Sequence, residues 1–135
     1  MAKVVERPGV TYTHDDNDVH TFVFTNDSEH GLDEFFVLLR DLLRHTSSAH
    51  TLRYLVDVSQ SDGRAPIGEL VQRFRQLEAQ IPDRAAGRTA ILHNASLMLT
   101  LANTIIDTFA PAQDKTRFFE ASKREDAYNW LLSDD

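Results

Sequence analysis

The sequence predicts an α/β fold, a mostly parallel five-stranded sheet that opens with an antiparallel hairpin and carries four helices. Three observations predict it. Short runs of β-branched and aromatic residues alternate along the chain with longer segments whose apolar residues recur at helical spacing. The first two apolar runs are separated only by a short polar stretch, which suits a hairpin. The later runs are separated by segments of helix length, which suit parallel strands joined by crossovers.

The first strand pair lies between Gly9 and Thr25. Val10 and Tyr12 alternate with Thr11 and Thr13, Asp15 to Asp18 form a polar turn, and Val19 to Thr25 are rich in β-branched and aromatic residues. After Asn26-Asp27-Ser28, a first helix carries Leu32, Phe35, Phe36, Leu39, Leu42 and Leu43 on one stripe and ends near His45. Asp33 and Glu34 sit early in it, where negative charge suits the helix dipole. Leu52 to Val58 read as the next strand, closed by Ser59 to Gly63. Pro66 then opens a second helix with Ile67, Leu70, Val71, Phe74, Leu77 and Ile81 on its apolar side. A break at Pro82 to Gly87 leads to a strand at Thr89 to Leu92, followed by a broadly apolar helix from Ser96 to Phe109 that Pro111 ends. The strand Arg117 to Glu120 and a last helix from about Lys123 to Leu132, burying Ala127, Trp130 and Leu131, complete the order.

The 135 residues, 41% of them hydrophobic, are enough for one core without staples, so a single domain over residues 1–135 is expected. Lys and Arg number 14 against 21 Asp and Glu, for a net charge of −7, and the basic residues are scattered. That surface repels phosphate backbones, so nucleic acid is not an expected partner. With no cysteine, the chain has neither disulfides nor thiolate ligands, which fits a reducing cytoplasm. The N-terminal residues lack a signal-peptide core, and no apolar run approaches the roughly 18 residues a bilayer span needs. A cytoplasmic protein without an integral membrane segment is the expectation.

In open parallel sheets, ligands and partners gather beyond the carboxyl ends of the strands. Those ends place Asp57, Ser59, Ser61, Asp62, Gly63, His93, Asn94 and Ser96 as candidate partner- or ligand-binding residues. Capping and turn chemistry also selects Ser, Asn and Asp at such positions. Ser59 or Ser61, His93 and Asp57 have the types of a Ser–His–Asp set, but no Gly-x-Ser-x-Gly elbow accompanies them, so no catalytic residue and no cofactor are assigned. His14 and His20 flank the polar turn and invite a metal reading. A four-residue turn pairs position 14 with 19, which sets the two imidazoles on opposite faces, and only a one-residue change of register brings them together. No metal site is therefore expected. On the Ser96–Phe109 helix, Leu99 and Ile106 lie off the main stripe and offer an apolar patch to a small ligand or lipid tail. One of the adjacent Phe35 and Phe36 is expected to point away from the densest core, where a second subunit could cover it as a homodimer.

The closing segment Thr116 to Leu131, with Phe118-Phe119 before Ala127 and Trp130-Leu131, resembles the ending of SpoIIAA-like proteins of the STAS group, also described as SEC14-like. Thr89 to Ser96 and Leu101 to Ile106 resemble the same group, and the likeness runs from about Val19 onward. It implies the SpoIIAA/STAS fold and a non-enzymatic regulatory module that binds a protein partner, as anti-sigma-factor antagonists do. A small-ligand or lipid-binding domain is the alternative it implies, and an uncharacterised hydrolase a third reading. In those antagonists, a loop of Asp-Ser-Ser-Gly type before the second helix carries the serine that a partner kinase phosphorylates. The matching loop here is Gln60-Ser61-Asp62-Gly63, with Asp62 where the phosphoacceptor would stand and Ser59 or Ser61 as substitute phosphorylation sites. A fixed carboxylate also mimics part of a phosphoserine's charge.

Overall fold

The computed structural model describes residues 3–25, 28–60, 67–81, 83, 85–93 and 115–133. Six strands form one mixed sheet in sequential order: β1 (Lys3–Arg7), β2 (Val10–His14), β3 (Val19–Phe24), β4 (Leu52–Asp57), β5 (Gly87–His93) and β6 (Lys115–Glu120). Strands β1 to β3 are antiparallel, and β3 to β6 run parallel. The helices are α1 (Ser28–Arg44), α2 (Ile67–Gln80) and α3 (Arg124–Leu132), with a 3-10 turn at Ala121–Lys123 leading into α3. The expected five strands become six. Three helices are seen among the described residues, because the helix expected at Ser96–Phe109 lies outside them.

The added strand is β1. Lys3, Glu6 and Arg7 break any apolar pattern, and four of its five residues are exposed, so backbone pairing to β2 holds it rather than burial. Pro8-Gly9 joins the two strands, with Gly9 at φ 80°, the conformation a type II turn asks of its third residue. Its charges suit an outer strand, since they discourage pairing with another chain.

Alternation along the strands divides the core into two layers. Phe22, Phe24, Leu52, Tyr54, Val56 and Ile91 face one side, where Leu32, Phe35, Phe36, Leu39 and Leu43 of α1 and Leu77 of α2 cover them. Val19, Leu55, Ala90 and Leu92 face the other, against Ala127 and Leu131 of α3. The adjacent phenylalanines do not divide as expected. Both are buried, Phe35 edge-on to Phe22 at 4.8 Å between centroids and Phe36 edge-on to Phe35 at 5.1 Å, with the Arg73 guanidinium 4.9 Å over the Phe36 ring. Arg73 of α2 also donates to Asp33 of α1 at 2.7 Å, which ties the two helices together beside the Phe36 ring. Helix α1 comes close to the β1–β2 turn, where a Cβ on Gly31 would stand 2.5 Å from the Gly9 carbonyl oxygen. Only glycine fits that approach.

The β2–β3 hairpin corrects a second expectation. Position 14 pairs with 20 rather than 19. Asp15 N–H donates to the Val19 carbonyl and Asp18 N–H to the Asp15 carbonyl, leaving a three-residue loop whose last member, Asp18, has φ 60°. A type I turn followed by a left-handed residue is a standard three-residue hairpin, and that residue is the extra one that shifts the register. Asp15 Oδ1 accepts from the N–H groups of Asn17 and Val19, which fixes the loop. His14 and His20 consequently share a face, their rings stacked at 4.1 Å.

Helix α3 is tied to the amino ends of the parallel strands through its last carbonyls. Arg53 Nε donates to Leu131 O at 2.8 Å, and Arg88 donates to Trp130 O at 3.0 and 3.2 Å while its guanidinium lies 4.2 Å over the Trp130 ring. Two cations thereby satisfy carbonyls that a helix end leaves open and oppose its negative pole. No helix among the described residues is long and apolar enough to cross a membrane.

Candidate functional site

At the carboxyl edge of the sheet, β4 ends in Asp57. The period of two points Leu52, Tyr54, Val56 and Val58 at the α1 layer, so Asp57 faces the α3 layer. It is only 5% exposed. One oxygen accepts from the Ser59 N–H at 3.0 Å and the Ser59 hydroxyl at 2.6 Å, and the other accepts from Arg124 Nη1 at 3.2 Å. The bonds to Ser59 form a local turn of the kind Asp favours two residues ahead of a backbone amide. Arg124 opens α3, whose positive pole faces the same edge and suits the carboxylate. The guanidinium is half exposed, so one side of this network reaches solvent.

His93, the last residue of β5, is 1% exposed and lies on the opposite face, its ring 6.3 Å from Phe118. The sheet thus stands between Asp57 and His93, and the Ser–His–Asp set does not assemble. Of the remaining candidates, Ser61, Asp62, Gly63, Asn94 and Ser96 lie outside the described residues, as do Leu99 and Ile106. Asp57 and Ser59 are brought together. Arg124 is the member that sequence reading missed, because it lies 67 positions away and only the docking of α3 delivers it.

A second polar constellation lies at the other edge, where β3 begins. Asp18 accepts from His14 Nε2 and His50 Nε2, each at 2.7 Å, and His20 Nε2 stands 3.7 Å from the same carboxylate. His20 Nδ1 is 2.6 Å from the Tyr12 hydroxyl. Burial pushes the His20 imidazole down to about 4, helped by the neighbouring His14, so it is neutral at pH 7. Burial and the Asp18 charge push the Tyr12 hydroxyl up to about 12. Burial opposes ionisation of Asp18 as well, but the bonds from His14 and His50 and the nearby imidazoles outweigh it and hold the carboxyl below its usual value. Asp15 also accepts a 2.6 Å bond from the Tyr128 hydroxyl, which anchors this loop to α3.

A family model described as SpoIIAA-like matches residues 21–132. No curated protein and no solved structure matches the chain. The matched span holds β4, α2, β5, β6 and α3 entire and with them the Asp57–Ser59–Arg124 network, whereas His14, Asp18 and His20 precede it.

Proposed function

Because the chain belongs to the SpoIIAA-like family, we propose that it is a non-enzymatic regulatory module that presents its carboxyl edge, around residues 57–60 and Arg124, to a protein partner. The Asp57 network carries this reading. Both oxygens of that carboxylate are committed to an amide, a hydroxyl and a guanidinium, which suits holding a loop in shape more than moving protons in catalysis. A surface shaped in advance loses less entropy on binding. The half-exposed Arg124 offers a cation to an acidic group of the partner.

The same geometry supports Ser59 as the switch. Its hydroxyl lies 2.6 Å from Asp57, so a phosphoryl group there breaks that bond and sets a second anion beside the carboxylate. Arg124 is the counter-charge both would compete for. The lipid- or small-ligand alternative rests on Leu99 and Ile106, and nothing among the described residues favours it.

The test is quantitative co-purification from the native host with the wild-type chain, Ser59→Asp and Arg124→Ala. A partner retained by the wild type and lost or exchanged in both variants is the expected result. Identical co-purifying proteins in all three would overturn the proposal.

A further inference from the structure

We propose that His14, His20, His50 and Asp18 bind one divalent transition-metal ion of the zinc type. Three imidazoles from separate segments converge on one carboxylate: His14 ends β2, His20 is the second residue of β3, and His50 lies in the loop before β4. Ligand atoms of His14, Asp18 and His20 all lie within 4.8 Å of one another. His50 Nε2 contacts the other Asp18 oxygen, Oδ2, at 2.7 Å. Tetrahedral zinc, with bonds of about 2.0–2.2 Å, holds its donors about 3.4 Å apart, so His14, Asp18 and His20 must close by up to about 1.4 Å and His50, which lies outside that cluster, by more. Side-chain torsions supply that closure, because His14 and His50 are 38% and 47% exposed and the ion has an open approach from solvent.

The donor set selects the ion. Three nitrogens and one carboxylate oxygen suit Zn²⁺, Co²⁺ or Ni²⁺, whereas Ca²⁺ and Mg²⁺ call for oxygen shells. Ligation needs neutral imidazole, so binding weakens as pH falls. Tyr12 supplies the outer contact such ligands use: with the His20 Nδ1–H donating to the Tyr12 oxygen, the Nε2 lone pair turns toward Asp18. Tyr12 and His20 also stack with an interplanar angle of 6°, which limits rotation of the ring. Four protein donors fill a tetrahedral shell and leave no position for a reacting water, so the ion is a clamp joining the β2–β3 loop to the segment before β4. Three of the four ligands, His14, Asp18 and His20, precede the family match, which begins at residue 21, and His50 lies within it.

The full chain, without a polyhistidine tag and stripped with a chelator, is titrated with Zn²⁺ against a chromophoric competitor. A parallel titration uses Co²⁺, whose visible absorption reports tetrahedral ligation. One ion per chain is expected at pH 7, with the melting temperature raised on saturation. Affinity should fall at least about tenfold in His50→Ala and in His14→Ala, since losing even an outer contact costs about that much. Both residues are exposed enough that their truncation leaves the core intact, which far-UV circular dichroism verifies. No binding at equimolar Zn²⁺, or equal affinity in the double variant His14→Ala/His50→Ala, would overturn the site.

Discussion

The two edges of the sheet each centre on an aspartate, and the two carboxylates live in opposite chemical settings. Asp57, 5% exposed, is held by an amide, a hydroxyl and a guanidinium, groups that keep one protonation state near neutral pH. Asp18, with its side chain 40% exposed, is surrounded by the imidazoles of His14, His20 and His50, whose ring nitrogens can each donate or accept. The difference teaches that residue type alone does not assign a role: one aspartate fixes the shape of a loop, and the other gathers adjustable donors around a point.

Acid should separate the two edges most strongly. His20 titrates at about 4 in the folded chain against 6.5 when unfolded, so the unfolded state takes up the proton first. Stability is then full above pH 6.5 and falls as pH drops toward 4, by up to about 3 kcal/mol. The titratable groups facing this ring are Tyr12, His14, Asp15, Asp18, His50 and Tyr54. Urea unfolding at pH 7 and pH 4.5, with chelator present, measures the loss, and His20→Asn should flatten it. A wild-type stability unchanged between these pH values would contradict the buried neutral imidazole.

Asp57→Ala, at the other edge, should cost about 2 kcal/mol by leaving the Ser59 amide and hydroxyl without their acceptor and Arg124 without its ion pair. The loss should be similar at both pH values if the edges act independently, and a double-mutant cycle with His20→Asn would expose any coupling. Tyr128→Phe should have the smallest effect, about 1 kcal/mol, by removing the hydroxyl that bonds Asp15 and Asn17. Because that loop carries Asp18, the variant should also weaken Zn²⁺ binding, whereas a partner bound at the carboxyl edge should not notice it.

The sequence made the alternating order legible because β3, β4 and β5 are buried on both faces and α1 carries a strong apolar stripe. β1 was not legible, since Lys3, Glu6 and Arg7 leave no burial period and only the pairing of Arg7 with Val10 across Pro8-Gly9 reveals it. The hairpin register turned on a single backbone conformation, the positive φ of Asp18, which residue counting cannot foresee. Once it is known, His14 and His20 fall on one face, and the expectation of separated imidazoles fails for a reason of one residue. Asp57 and Ser59 were within reach of local turn chemistry. Arg124 and His50 were not, because each arrives through tertiary contacts, at 67 and 32 positions from its carboxylate.

The assignment of the carboxyl edge as the partner surface is tested most directly by site-specific photo-crosslinking in the native host. One probe replaces the exposed Gln60 beside the Asp57 network, and another replaces the exposed Asn17 in the β2–β3 loop. A discrete protein adduct from position 60, absent from position 17 and lost with Arg124→Ala, is the predicted result. An adduct from position 17 with none from position 60 would contradict it.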